Sequence, residues 1–122
     1  MKKFLFLFLW LGGSSLFAQA VLPLKERAKA IEQIQQERFE VLLPQLMQAH
    51  NIDAWVIIAR EYNEDPVVKT MLPPTWLNAR RRTILVFTKD AKTGEVSRAA
   101  ITRYPFGKLI PSVWKKEEEP DQ

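Results

Sequence analysis

Six polar residues in a row, Arg60, Glu61, Tyr62, Asn63, Glu64 and Asp65, follow directly on the apolar run Ala54–Ala59. Their types suit recognition. A guanidinium such as that of Arg60 holds a carboxylate through two parallel hydrogen bonds, and a neighbouring carboxylate (Glu61 or Asp65) would orient it. In open α/β sheets ligands gather where strands end at their carboxyl side, because loops fan out there over a crevice. The same residues also admit a structural duty. Asp65 and Asn63 are suited to cap a helix beginning at Pro66, with Arg60 and Glu61 paired on the surface. Both readings stand on the residues alone.

Other chemistry is sparse. His50 is the only histidine, and its place at an expected helix end favours contact with the last carbonyls over a metal ion. A metal site with one histidine needs several converging carboxylates. Glu61, Glu64 and Asp65 do not all reach one ion from a single short loop. The lone histidine leaves no independent base for a Ser-His-Asp set. Four glycines, two of them Gly12 and Gly13, form no phosphate-cradling loop. The basic run Arg80–Arg82 leads into a strand. It reads as a solvated edge or an ion-pair set, without the wide basic face that nucleic acid requires. Trp55, Trp76 and Trp114 read as core or interface residues.

These side chains need positioning elements. Ala28, Ile31, Ile34, Phe39, Leu42, Leu46 and Ala49 recur at mixed three- and four-residue steps, with Phe39 off the main line. They predict a helix over Leu24–Ala49. Glu32, Gln33, Gln35, Gln36 and Glu37 would form its wet face. Pro44 predicts a kink or break near Leu43, and His50-Asn51 a stop. Ala54–Ala59 is continuously apolar, as in a strand buried on both faces. Val67–Leu72 gives one or two helical turns, ended by Pro73 and Pro74. Thr83–Thr88 predicts a second buried strand. A polar connection with Gly94 at its turn leads to an antiparallel strand, Val96–Tyr104. Two doubly apolar strands need two covering layers, and one long helix supplies one. The α/β pattern reads as the front part of something larger.

The ends carry their own signals. Lys2 and Lys3, the apolar run Phe4–Leu11, and a small-residue stretch closing on Ala18 and Ala20 have the layout of a secretory signal peptide over residues 1–20, with cleavage after Ala20. Gly12, Gly13, Ser14 and Ser15 interrupt the run too early for a stable membrane anchor. Export to the periplasm or beyond follows as the expected localisation. Lys2 and Lys3 supply two of the net charge of +4, leaving +2 for residues 21–122. That excess is too small to imply nucleic acid. The absence of cysteine leaves stability to the core alone. Residues 115–122 read as a polar, solvated tail.

The stretch Glu26–Val68, then "RRRTILVFTKD" and "RAAITRYPFGKL", resembles the N-terminal domain of creatinase and aminopeptidase P-type metallopeptidases, in particular exported Xaa-Pro aminopeptidase-like forms. "NIDAWVIIAREYNEDP" carries the resemblance most specifically. It implies a creatinase N-terminal-like α/β domain over residues 21–114, a mixed sheet with flanking helices, and an incomplete one. In that family two divalent ions, manganese, cobalt or zinc, sit in a separate pita-bread domain whose ligand motifs have no counterpart here. The resemblance therefore implies no cofactor and no catalytic or metal-binding residue in this chain. It implies a partner catalytic domain, in cis or on another chain, a possible homo-oligomer, and a peptide substrate passing a rim formed by Arg60, Glu61, Tyr62, Asn63 and Asp65. The chain would be a fragment, a truncated product or half of a split gene. The other reading is a free-standing periplasmic binding or assembly module with no peptidase partner. A downstream coding sequence that continues into a metal-ligand pattern separates the two. In the first reading part of the surface that rests on the second domain is left exposed, and weak solubility or self-association of the isolated chain is expected.

Overall fold

The computed structural model describes residues 21–115, 117 and 118. The expected signal segment, with Ala18 and Ala20, and most of the polar tail lie outside the described residues. No helix among those described is long and apolar enough to cross a membrane.

The chain runs through α1 (Leu24–Glu37), a π turn (Arg38–Leu42), α2 (Leu43–Ala49), β1 (Ala54–Arg60), α3 (Pro66–Met71), β2 (Arg82–Lys89) and β3 (Val96–Thr102). The strands form one sheet in the order β1-β2-β3. Both pairings are antiparallel, giving a small α/β fold. A mixed sheet is not what the described residues form. Their one parallel pairing is an isolated bridge between Ala100 and Ser112.

The expected fault at Pro44 takes the form of the π turn. The Leu43 amide donates to the Arg38 carbonyl, five residues back instead of four. Pro44 follows as the second residue of α2, and because the chain winds on continuously through Leu42 and Leu43, the wider turn is what accommodates its ring and missing amide donor. At the other end the Asn51 and Ile52 amides donate to the Gln48 and Met47 carbonyls at 3.2 and 2.8 Å. Asn51 has φ 53, so it closes the helix in the left-handed conformation its sequence position predicts.

The buried face of the helix differs from the expected stripe. Gln35, Phe39, Leu43 and Met47 are buried, whereas Ile31, Ile34, Leu42 and Leu46 are largely exposed. Phe39 lies at the centre, not off the line. Gln35, expected on the wet face, is only 4% exposed. Its Nε2 donates to the Leu72 and Thr70 carbonyls, and Arg38 Nη1 also donates to Thr70. These contacts satisfy carbonyls at the end of α3 that have no partner within that helix. A helix with apolar residues on two sides leaves its rotation to such polar contacts, which a periodicity count does not register.

The strands alternate instead of being buried on both faces. Ile57 and Ala59 of β1, Thr83, Leu85 and Phe87 of β2, and Ala100 and Thr102 of β3 are buried. The apolar ones share one core with Phe39, Leu43 and Met47 from the long helix, Val68 and Met71 from α3, and Leu72, Trp76, Phe106 and Ile110 from the connections. Phe39 stacks on Phe87 with ring centroids 6.2 Å apart. One helical layer covers one face, and the run Ala54–Ala59 has no second layer among the described residues.

The β2–β3 turn is built on Asp90. Its Oδ1 accepts from the Lys92 and Thr93 amides at 2.7 and 2.8 Å. Gly94, at φ 73, supplies the conformation that side chains resist. The Thr93 and then the Lys92 amide hold the Asp90 carboxyl below its ordinary value. The ionised form is favoured by folding, so its contribution is complete above the unfolded value, about 3.9. It fades as pH falls through the lower native value. We predict that Thr93 and Lys92 amide exchange stays protected at neutral pH and loses this protection on acidification, while Asp90→Asn removes that pH dependence.

Candidate docking face and arginine rim

Antiparallel register places whole rows of residues on the face opposite the helix. One row is Val56–Val86–Ala99 and the next Ile58–Ile84–Ile101. Val56 is 53% and Ile58 66% exposed, and the other four are partly exposed. Six apolar side chains thus form a contiguous patch, of the kind that marks an interaction surface.

The next row along β1 and β2 pairs Arg60 directly with Arg82. Like charges opposite each other across a strand pair are unfavourable. The described ion pairs are Lys89–Asp53 and Lys115–Glu118, so neither arginine has a carboxylate partner among the described residues. An anionic group presented at this end of the patch would relieve the repulsion.

The polar loop beside this row divides its work. Asp65 Oδ1 accepts from the Val68 amide at 2.8 Å and caps α3, as the structural reading holds. Glu64 Oε1 accepts from the Ala79 amide at 2.8 Å, tying the loop to the segment before β2. The Asn63 amide donates to the Arg60 carbonyl at 2.9 Å, and the Glu61 amide to the Arg81 carbonyl at 2.8 Å. Tyr62 sits at the turn with φ 65 and is 83% exposed. No Arg60–Glu61 ion pair forms among the described residues. The exposed side chains at the rim with no hydrogen bond or ion pair among the described residues are therefore Arg60, Glu61, Tyr62 and Asn63. Glu61 also lines a shallow hollow of about 220 Å³ with Leu77 and Arg80.

Arg80, expected as part of a solvated edge or an ion-pair set, has aromatic partners instead. Its guanidinium lies 4.9 Å from the Trp76 ring centroid and 5.6 Å from that of Tyr104. Trp76 in turn meets Phe106 edge-on at 5.3 Å. A cation between two aromatic faces is held by both ring quadrupoles, so Arg80 pins the pre-β2 segment to the segment after β3. Trp76 and Tyr104 are 28 positions apart and give no local signal for this.

Comparison with family models, curated proteins and solved structures finds no match. The reading of this site therefore rests on its geometry. Among the described residues no three of His, Asp and Glu converge on a place for a metal ion. His50 is exposed, and its backbone amide donates to the Leu46 carbonyl at 3.1 Å.

Proposed function

We propose that this chain is a non-catalytic N-terminal layer of an exported Xaa-Pro aminopeptidase-like metallopeptidase. In this reading it docks against a catalytic domain housed elsewhere and contributes to the mouth through which peptide enters. The observation that carries the reading is the apolar sheet face ending in the unneutralised pair Arg60–Arg82. A surface of that composition is costly to leave in water and is complementary to a partner with an apolar patch and a carboxylate beside it. The resemblance over Glu26–Trp114 supports the family reading, and the layout of residues 1–20 supports export. Arg60, with Glu61 and Tyr62 at its side, holds peptide carboxylate at the rim. Asn63 and Asp65 shape the loop that presents them.

The chain alone, given a Xaa-Pro dipeptide and Mn²⁺, should neither take up stoichiometric metal nor turn over substrate. Metal uptake with hydrolysis would overturn the scaffold role. The rim role has a separate test. In a full-length relative with the same motif, replacing the arginine equivalent to Arg60 by alanine should lower kcat/KM on Xaa-Pro peptides by about tenfold or more, the scale of a lost charge-assisted hydrogen bond. An unchanged value would remove the peptide contact and leave docking intact.

A further inference from the structure

A cleft of about 360 Å³ opens on the helix side of the molecule, away from the sheet face and rim described above. One wall is the first half of α1, with Lys25, Ala28, Lys29 and Glu32. The facing wall is Pro73–Thr75 and the lip Gly107–Leu109, and the floor is Phe39, Met71, Phe106 and Ile110. The floor residues are buried. The volume lies in the range of small-ligand sites.

The polar groups divide sharply by depth. Gln35, which also lines the cleft, is committed to the Thr70 and Leu72 carbonyls. The floor therefore offers a ligand little but carbon. The mouth carries Lys25 and Lys29, one helical turn apart, with Lys108 on the opposite lip, and all three are exposed. None of them belongs to an ion pair among the described residues. Glu32 opposes them from farther along α1, leaving three cations against one carboxylate. The walls are preset: two consecutive prolines fix one, and Gly107, at φ 113, gives the lip a backbone conformation that residues with a side chain resist.

We propose that this cleft binds a small amphipathic carboxylate, its alkyl chain on Phe39, Met71, Phe106 and Ile110 and its head group between Lys29 and Lys108. Burying a chain there removes apolar area on both partners from water. The head group stays at the mouth, where it meets cations without losing all hydration.

Titration of the isotope-labelled chain with hexanoate, octanoate and decanoate tests this. Saturable amide shifts are expected at Lys29 and over 106–109, with affinity rising about fourfold per methylene. Decyltrimethylammonium, equally long but cationic, is expected to bind far more weakly. The double variant Lys29→Glu, Lys108→Glu should lose about tenfold in decanoate affinity while keeping its circular dichroism spectrum. Lys92→Glu, in the β2–β3 turn and outside the cleft lining, should leave decanoate affinity unchanged. Equal binding of the cationic chain, or shifts confined to the sheet face, would overturn the site. An acidic amphipathic helical peptide that shifts the same amides and is not displaced by decanoate would overturn it too, by assigning the groove to a protein segment. None of these results bears on docking through the sheet face, which is read separately by association state.

Discussion

Phe87→Ala should lower the unfolding free energy by about 3–5 kcal/mol, the usual loss when a buried aromatic ring is cut to a methyl group. The site has little room to relax. Phe87 is 0% exposed, stacks on Phe39 at 6.2 Å and meets Trp55 at 6.0 Å. It is therefore the contact through which the helix grips the sheet. A single small domain has about 5–15 kcal/mol in total, and this one has no disulfide to constrain its unfolded state. Urea unfolding followed by circular dichroism is expected to move its midpoint sharply downward. A shift below about 1 kcal/mol would mean that the helix is held by something other than this stack.

The neighbouring residue gives the opposite result. Val86→Lys, one position earlier on the same strand, should leave the unfolding free energy within about 0.5 kcal/mol, as surface changes usually do. Its side chain points to the open face, between Val56 and Ala99. Its effect appears in association. With the apolar rows Val56–Val86–Ala99 and Ile58–Ile84–Ile101 uncovered, the unaltered chain is expected to self-associate at high concentration. A lysine in the middle row should return it to monomer, since a charge on such a patch has to be desolvated for contact. Light scattering across a concentration series reads this directly. A monomeric unaltered chain, or a variant that associates as strongly, would remove the docking role from this face.

Val86 and Phe87 also mark what the sequence made legible. The strands β1, β2 and β3, the short helix after Pro66, the turn at Gly94 and the stop at Asn51 follow from local chemistry, and they form where local chemistry places them. The number of layers does not follow from it. A run such as "AWVIIA" is compatible with one cover or two, and only the rest of the chain decides. The rotation of the helix was hidden for a related reason. Ile31 and Ile34 are as apolar as Phe39 and Met47, and the choice between faces falls to Gln35 and Arg38 reaching carbonyls more than 30 residues away. At the rim, Asp65 was legible because capping is local. The pairing of Arg60 with Arg82 and the stacking of Arg80 on Trp76 and Tyr104 were not, because they join segments that meet only once the sheet exists. The antiparallel course of β1 and β2 matters here as well. It brings the end of one strand beside the beginning of the next, so the rim draws residues from both.

The π turn fixes a phase relation along the helix. An α-helix advances about 100° per residue, so contacts spaced by four overshoot a full circle by about 40° each time. Gln35, Phe39, Leu43 and Met47 keep that spacing and are all still buried. The wider winding at Arg38–Leu42 takes up the excess. Loss or gain of one residue in that stretch would rotate α1 against α2 by about 100°. It would swing Gln35 off the α3 carbonyls while leaving Leu43 and Met47 in place. The length of that short stretch is therefore as much a determinant of the architecture as any side chain in it.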